Sequence, residues 1–277
     1  MKLDSGKIVL VTGAASGIGR AFALAAAKKG SKLVITDINE KGLADTAERI
    51  AKQGGTVLLI RAVNVGDFEA VSALAEEVHT GFGPVDVLAN VAGVATFAQV
   101  EDMAHKDWKR VIDVNLWGVV HFIEAFSPQM IRAGSGHIIN VSSLAGLMGV
   151  PWHGVYSATK FAVNGLSEVL RLDFEKHGIS VTLVCPGAVN TGLVESVEIF
   201  APKVETGPLR ARFRKIAISP EKVADQMICA VEKRKFLVMT SIDVKIAWFV
   251  KRHFPWIHYM AMRLVSKLMD KNLGKRK

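Results

Sequence analysis

The stretch Thr12–Phe22, TGAASGIGRAF, sets Gly13, Gly17 and Gly19 in a G-x-x-x-G-x-G spacing between two segments of opposite character. Before it, KIVLVT is a short, β-branched apolar run of the kind that forms a buried parallel strand. After it, IGRAFALAAAKK has an alanine-rich helical composition and stops at Gly30, a residue suited to a helix C-terminus. A strand, a glycine turn and a helix N-terminus in that order make an anion-binding element. The first helical N–H groups lack intrahelical partners, and the helix dipole adds partial positive charge beside them. Glycines let the backbone reach a pyrophosphate with no Cβ in the way.

The same alternation continues outward from the glycine turn. SKLVITD, TVLLIRAVNV, VDVLANVAG, GHIINVSS and ISVTLVCPG read as further strands, with helical segments between them that include Lys106–Ala133 and Val155–His177. Repeated strand–helix–strand units imply right-handed crossovers and a parallel sheet covered on both faces. The expected fold class is therefore α/β, a single doubly wound domain over residues 1–240 followed by a C-terminal helical extension over 241–277. Val189–Ser219, interrupted by Gly207 and two prolines, departs from the alternation and reads as a lid over a binding site.

Composition narrows the function classes. Of 277 residues, 50% are hydrophobic and 22% charged, which excludes a disordered chain. No apolar run approaches the roughly 18 residues of a membrane-spanning helix, and no signal-peptide core precedes the first strand. Cys185 and Cys229 are too few for a disulfide framework, so a cytoplasmic setting is expected. The net charge of +9 is unevenly placed. Residues 241–277 hold nine Lys/Arg against two acids, or +7, leaving 26 against 24, or +2, for the body. A nucleic-acid enzyme would spread such charge over its body, so no nucleic-acid partner is expected. No metal-ligand spacing is present either.

Asp37 closes the second strand 20 positions after Gly17, where a carboxylate can accept hydrogen bonds from an adenosine ribose. It would repel a 2′-phosphate, and Ile38 beside it supplies no cation. NAD is thus expected over NADP.

Five further blocks occur in order: NVAG (Asn90–Gly93), VNLWG around Asn115, NVSS ending at Ser143, YSATK (Tyr156–Lys160) and PGAVNT (Pro186–Thr191). With TGAASGIG they closely resemble the short-chain dehydrogenase/reductase family, across roughly residues 5 to 240. The resemblance implies a Rossmann-type fold and a nicotinamide cofactor held by Gly13, Ser16, Gly17, Ile18, Gly19, Asp37, Ile38, Asn64, Val65, Asn90, Ala92, Gly93, Pro186, Gly187, Val189 and Thr191, together with Tyr156 and Lys160. It implies Tyr156 as acid/base, Lys160 on the nicotinamide ribose, Ser143 orienting the substrate and Asn115 holding a relay water. A homo-oligomer, dimer or tetramer, is also implied. Two positions depart from the family pattern: Asn64 where Asp is common, and Val91 where Asn is common. The amide of Asn64 can still accept a hydrogen bond from adenine.

The chemistry of the centre follows from the residues as well. Tyr156 and Lys160 stand at i and i+4 on one helix face. A phenol titrates near 10, and a nearby ammonium together with a cationic nicotinamide ring would lower it toward the working range. Ser143 ends a strand at the carboxyl edge of the sheet, where its hydroxyl can hold the reacting oxygen. Ser142 would point to the opposite face.

Leu147, Met148, Val150, Trp152, Leu193, Val197 and Phe200 are candidate pocket walls, suited to a lipophilic alcohol or ketone. Arg210, Arg212, Arg214 and Lys215 read as a solvated basic face. In the extension, Pro255 should divide two helices. Ile257, Met260, Ala261, Leu264, Val265 and Leu268 recur there at helical spacing beside Arg263, Lys267 and Lys271. Such a segment reads either as an interfacial membrane contact or as a helix packed over the substrate mouth. The leading functional expectation is NAD-dependent interconversion of a lipophilic secondary alcohol and its ketone, of steroid, retinoid or long-chain type. A 3-oxoacyl reductase and a non-catalytic NAD-binding scaffold are the alternatives.

Overall fold

The computed structural model describes residues 1–4, 6–191, 198–199 and 217–273. Strands β1 (Ile8–Thr12), β2 (Lys32–Asp37), β3 (Thr56–Ala62) and β4 (Val87–Asn90) are followed by the short β5 (Thr96–Phe97). Then come β6 (Gly136–Val141), β7 (Ile179–Cys185), the short β8 (Glu198–Ile199) and β9 (Leu237–Met239). Seven of these form one parallel sheet in the order β3-β2-β1-β4-β6-β7-β9, while β5 and β8 pair separately. The order reverses between β1 and β4, which opens a crevice at the carboxyl ends of those two strands.

Helices cover both faces. They are α1 (Gly17–Lys28), α2 (Glu40–Lys52), α3 (Phe68–Phe82), α4 (His105–Ile112), α5 (Gly118–Ala133), α6 (Leu144–Leu147) and α7 (Gly154–Glu175), then α8 (Pro220–Lys233), α9 (Ile242–His253) and α10 (Pro255–Leu273). Alternate strand residues feed two apolar layers. Val9, Val11, Leu33 and Ile35 pack with Phe22 of α1 and Met227 of α8 on one side. Leu10, Val34, Leu88 and Ile138 pack with Val71, Phe122 and Phe126 on the other. Phe22, Phe122 and Phe126 are fully buried; truncating any of them to alanine would cost about 3–5 kcal/mol.

The expected doubly wound parallel sheet and the C-terminal helices are present. Three details differ from the sequence reading. Leu237–Met239 is a strand at the sheet edge, and Thr96–Phe97 pairs with Glu198–Ile199. Elements of two or three residues are too short to show periodicity. Within Lys106–Ala133, a π-helical turn at Asp113–Trp117 separates α4 from α5. Most of the anticipated lid lies outside the described residues. Its roots are joined where Asn190 N–H donates to the Ile218 carbonyl (2.9 Å) and Ile218 N–H to the Ala188 carbonyl (3.0 Å).

Candidate active site

The ends of β1, β2, β4, β6 and β7 bring Gly13, Asp37, Asn90, Ser143 and Pro186 to one edge of the sheet. Gly13 has φ +68°, and a Cβ there would lie 2.9 Å from the Ala92 backbone. Only glycine permits both the turn and the approach. A Cβ on Gly17 would meet the Thr191 methyl at 3.0 Å, so the glycine loop and the residues after β7 lie against each other. Ser16 caps α1 without a side-chain hydrogen bond to the first turn.

Thr12, which the sequence reading passed over, organises this junction. Its Oγ1 accepts from the N–H groups of Val91 (2.9 Å) and Ala92 (3.0 Å) and donates to the Ala89 carbonyl at 3.4 Å. The loop carrying Ala92 and Gly93 is thereby fixed to β1. A buried hydroxyl at the end of an otherwise aliphatic strand was the available signal.

The Asp37 carboxylate accepts from Ala15 N–H at 3.1 Å and Asn39 N–H at 3.0 Å, one bond to each oxygen. Each oxygen keeps a lone pair for a further donor. Ile38 next to it is 72% exposed. Arg20 approaches the same loop and donates to the Ala15 carbonyl, but it is committed to Asp45 (2.9 Å) and Thr46 (3.0 Å). Asn64 Oδ1 accepts from Gly66 N–H at 3.1 Å. Buried Val65 presents its carbonyl to His121 Nδ1–H at 3.0 Å. Asn90 is tied into the sheet, its amide donating to Asn140 Oδ1 at 2.9 Å, and Asn140 in turn donates to Ser167 at 3.0 Å.

Around the carboxyl edge of β6, the two serines diverge as their alternation requires. Ser142 donates to the Lys160 carbonyl at 3.0 Å inside the core. Ser143 caps α6, accepting from Ala145 N–H at 3.1 Å, and its hydroxyl faces the Tyr156 phenol, which it acts to lower. Lys160 is 3% exposed, donates to the Val141 carbonyl at 2.9 Å, and sits 5.7 Å from the Tyr156 ring centroid. Asn115 projects from the π-helical turn. It accepts from Val94 N–H at 2.8 Å and donates to the Val94 carbonyl at 2.9 Å and Thr159 Oγ1 at 3.3 Å. A Cβ on Gly93 would fall 3.2 Å from Asn115 Oδ1 and 3.6 Å from Lys160 Nζ, so these three residues meet.

The electrostatics differ from the expectation in one respect. Burial pushes the Tyr156 phenol up, and Ser143 only partly opposes it. Burial also pulls Lys160 down to about 8. In the protein alone, desolvation outweighs the attraction that was expected to lower the phenol. Cys185, buried behind Lys160, is raised to about 12 and stays a thiol.

Aromatic side chains wall the approach to Tyr156. His153 lies 6.1 Å from the Tyr156 ring, Phe97 packs edge-on to His153 at 4.7 Å, and Trp152 stacks on Phe97 at 5.6 Å. Trp152 holds a left-handed backbone (φ +66°) although its side chain is bulky. Such strain persists only where the surroundings enforce it. Here Ala98 N–H donates to the Trp152 carbonyl at 2.9 Å, and the indole donates to Asp270 of α10 at 3.1 Å. Gln99 donates to the same carboxylate at 3.0 Å. Lys251 of α9 donates to the Leu147 carbonyl at 2.6 Å. The extension therefore packs against Leu147, Trp152 and Gln99. Of the expected walls, Met148 and Trp152 are buried and Leu147 and Val150 half-buried. Leu193, Val197, Phe200 and the Arg210–Lys215 run lie outside the described residues. His153 and Asp270 were missed, since neither belongs to a recognisable motif. Among the described residues no acid–histidine–cysteine group could hold a metal.

Comparison with known proteins agrees with this geometry. A family model described as short chain dehydrogenase matches residues 7–200. An oxidoreductase named SadH from Mycobacterium tuberculosis is 36% identical over 275 residues, covering 92% of this chain and 99% of its own. A short-chain dehydrogenase/reductase from Burkholderia phymatum, solved with NAD, superposes with a TM-score of 0.83 at 30% identity, covering 93% of this chain and 96% of its own. An alcohol dehydrogenase from Thermococcus sibiricus, solved with 5-hydroxy-NADP, gives 0.73 at 26% identity, covering 84% and 95%. Five sequence blocks, one edge of the sheet and these relatives converge: the chain belongs to the short-chain dehydrogenase family and is an oxidoreductase.

Proposed function

We propose that the protein interconverts a lipophilic secondary alcohol and its ketone, with NAD as cofactor and Tyr156 as the acid/base. The observation that carries this reading is the convergence of Ser143, Tyr156 and the buried Lys160 at one edge of the sheet, with the ammonium 5.7 Å from the tyrosine ring centroid. The cradle suits a dinucleotide. Gly13 and Gly17 keep side chains out of the turn, Asp37 keeps lone pairs for a ribose, and Gly93 leaves a Cβ-sized gap between Asn115 and Lys160. A bound nicotinamide would supply the hydride acceptor or donor, and in its oxidised form a positive charge that favours the phenolate.

The remaining chemistry belongs to the chain. Ser143 holds the reacting oxygen and shares its developing charge. In ketone reduction, Tyr156 gives its proton to that oxygen; its raised phenol keeps the proton in place until then. In alcohol oxidation the phenolate takes the proton back, and Lys160 stabilises the phenolate across the ring face. Asn115 fixes the Val94 backbone against α7 through Thr159, which keeps the floor beneath Lys160 in register. Asp37, with Ile38 exposed and Arg20 committed to Asp45, favours NAD over NADP. The Phe97–Trp152–His153 wall favours an apolar substrate body.

The test is NADH formation from NAD across alcohols graded from short diols to steroids and long-chain alcohols, with Tyr156→Phe alongside. Turnover confined to bulky apolar members and reduced on the order of 10²–10⁴-fold in the variant is expected. Turnover of small polar alcohols alone would overturn the substrate reading. Undiminished turnover in the variant would overturn the role of Tyr156.

A further inference from the structure

Helix α10 has two unlike sides. His258, Met262, Val265, Ser266, Met269 and Asp270 are half-buried, and Asp270 is bonded to Trp152 and Gln99. The opposite side carries Trp256 (65% exposed), Ile257, Met260 (62%), Leu264 (59%) and Leu268, continued by Phe249 (51%) on α9. Ile257, Met260, Leu264 and Leu268 fall at i, i+3, i+7 and i+11, one stripe on a helix. A contiguous apolar stripe of this length on a soluble surface marks an interaction site.

Its flank is cationic. Arg263, Lys267 and Lys271 follow one another at four-residue spacing along α10, and Arg252 lies in the last turn of α9. Among the described residues none of these four is paired with a carboxylate. Arg252 and Arg263 lie instead against the rings of Trp248 (5.3 Å) and Tyr259 (5.9 Å). No described helix is long and apolar enough to cross a membrane. A second copy of the chain suits this face poorly, because a twofold contact would bring two flanks of unpaired cations together with no carboxylate between them.

We infer that the outer side of α9 and α10 docks on an anionic lipid surface, its apolar stripe at the acyl boundary and its cations at the headgroups. Interfacial helices combine these features: an apolar face, a basic flank and aromatic residues between them. Long basic stems can lie along the apolar stripe with their charges in the headgroup layer. The same helix holds Trp152 through its inner side, so the mouth of the site sits beside the docked face.

The full-length protein is floated with phosphatidylglycerol/phosphatidylcholine vesicles and with pure phosphatidylcholine vesicles, at low and high salt. Flotation with the anionic vesicles, weakened by salt, is expected. Arg263→Gln with Lys267→Gln should reduce partitioning on the order of thirtyfold, and Ile257→Ser with Leu264→Ser should abolish it. Unfolding temperature and NAD binding, measured on the same variants, should be retained. No flotation with anionic vesicles overturns the inference, as does equal flotation with both vesicle types. So does a serine pair that alters oligomeric mass but leaves flotation unchanged. The readout uses no turnover, so it stands or falls separately from the proposed dehydrogenase activity.

Discussion

The indole of Trp152 and the carboxylate of Asp270 share a 3.1 Å hydrogen bond across 118 positions of sequence. It joins the aromatic cluster beside Tyr156 to the last described helix of the chain. Trp152 is held in a left-handed backbone and stacked on Phe97, so its orientation depends on partners that hold it from outside.

Asp270→Ala removes the acceptor shared by Trp152 and Gln99. The expected outcome is a rise in KM for bulky alcohols of roughly five- to tenfold, the scale of one net hydrogen bond. Turnover of small alcohols and affinity for the cofactor should hold. Steady-state kinetics across the substrate panel check this; equal effects on every substrate would show that Asp270 serves only general stability.

Asp37→Ala with Ile38→Arg removes the carboxylate at the end of β2 and places a cation beside it. Preference should move from NAD toward NADP, read as the ratio of kcat/KM for the two. The native ratio is the sharper check, since an NADP preference in the unaltered protein would contradict the role given to Asp37.

Lys160 is predicted to cost stability at neutral pH. Its ammonium titrates near 8 when folded, against 10.5 for a free lysine. Below pH 8 both states are protonated, and the folded chain carries the full penalty of a buried charge. Between 8 and 10.5 the unfolded chain holds more protons, so stability rises with pH. The shift corresponds to about 3 kcal/mol, less about 1 kcal/mol for the bond to the Val141 carbonyl. Lys160→Met should therefore be the more stable protein at pH 7, with the gap narrowing toward pH 10.5, while its activity collapses. Denaturant midpoints at several pH values measure this, and a variant less stable at pH 7 would refute it.

His137 gives a response of the same sign in a lower pH window. Burial, reinforced by the chain's N-terminal ammonium and Arg234, lowers it to about 3 from 6.5. Thr182 Oγ1 donates to the Lys235 carbonyl, so it must accept from His137 Nε2–H, which leaves Nδ1 bare and buried. As pH falls below 6.5 the unfolded chain gains a proton that the folded chain refuses. Stability should drop by about 1.4 kcal/mol per pH unit through this range. His137→Gln keeps a donor for Thr182 and should flatten unfolding free energy between pH 6.5 and 4.5. An unchanged slope would assign the acid sensitivity to other groups.

The residues that were legible in the sequence share a property: their chemistry is tied to a local frame. Gly13, Gly17 and Gly19 declare a turn, and Tyr156 and Lys160 declare a helix face, because neighbours a few positions away fix both. Ser143 was separated from Ser142 by strand alternation alone, and their hydrogen bonds follow that division. Thr12, His153 and Asp270 escaped notice because their partners come from remote elements, and no period or motif links them. The direction of the Tyr156 phenol in the protein alone was not legible for a related reason. The sequence names the ammonium four residues away but not the depth of burial, and burial dominates.

The wide turn at Asp113–Trp117 has a consequence for how this chain tolerates changes in length. A π-helical turn accommodates one residue more than the α-helical path requires, so the helices on either side keep their phase. Deleting one residue there would restore a regular helix without rotating α4 or α5 away from the core. The fold would survive, and the amide of Asn115 would leave the floor beneath Lys160. Most one-residue deletions inside a helix turn every later side chain by about 100° and destroy packing and chemistry together. This one would separate the two, leaving an intact scaffold whose site has lost one member.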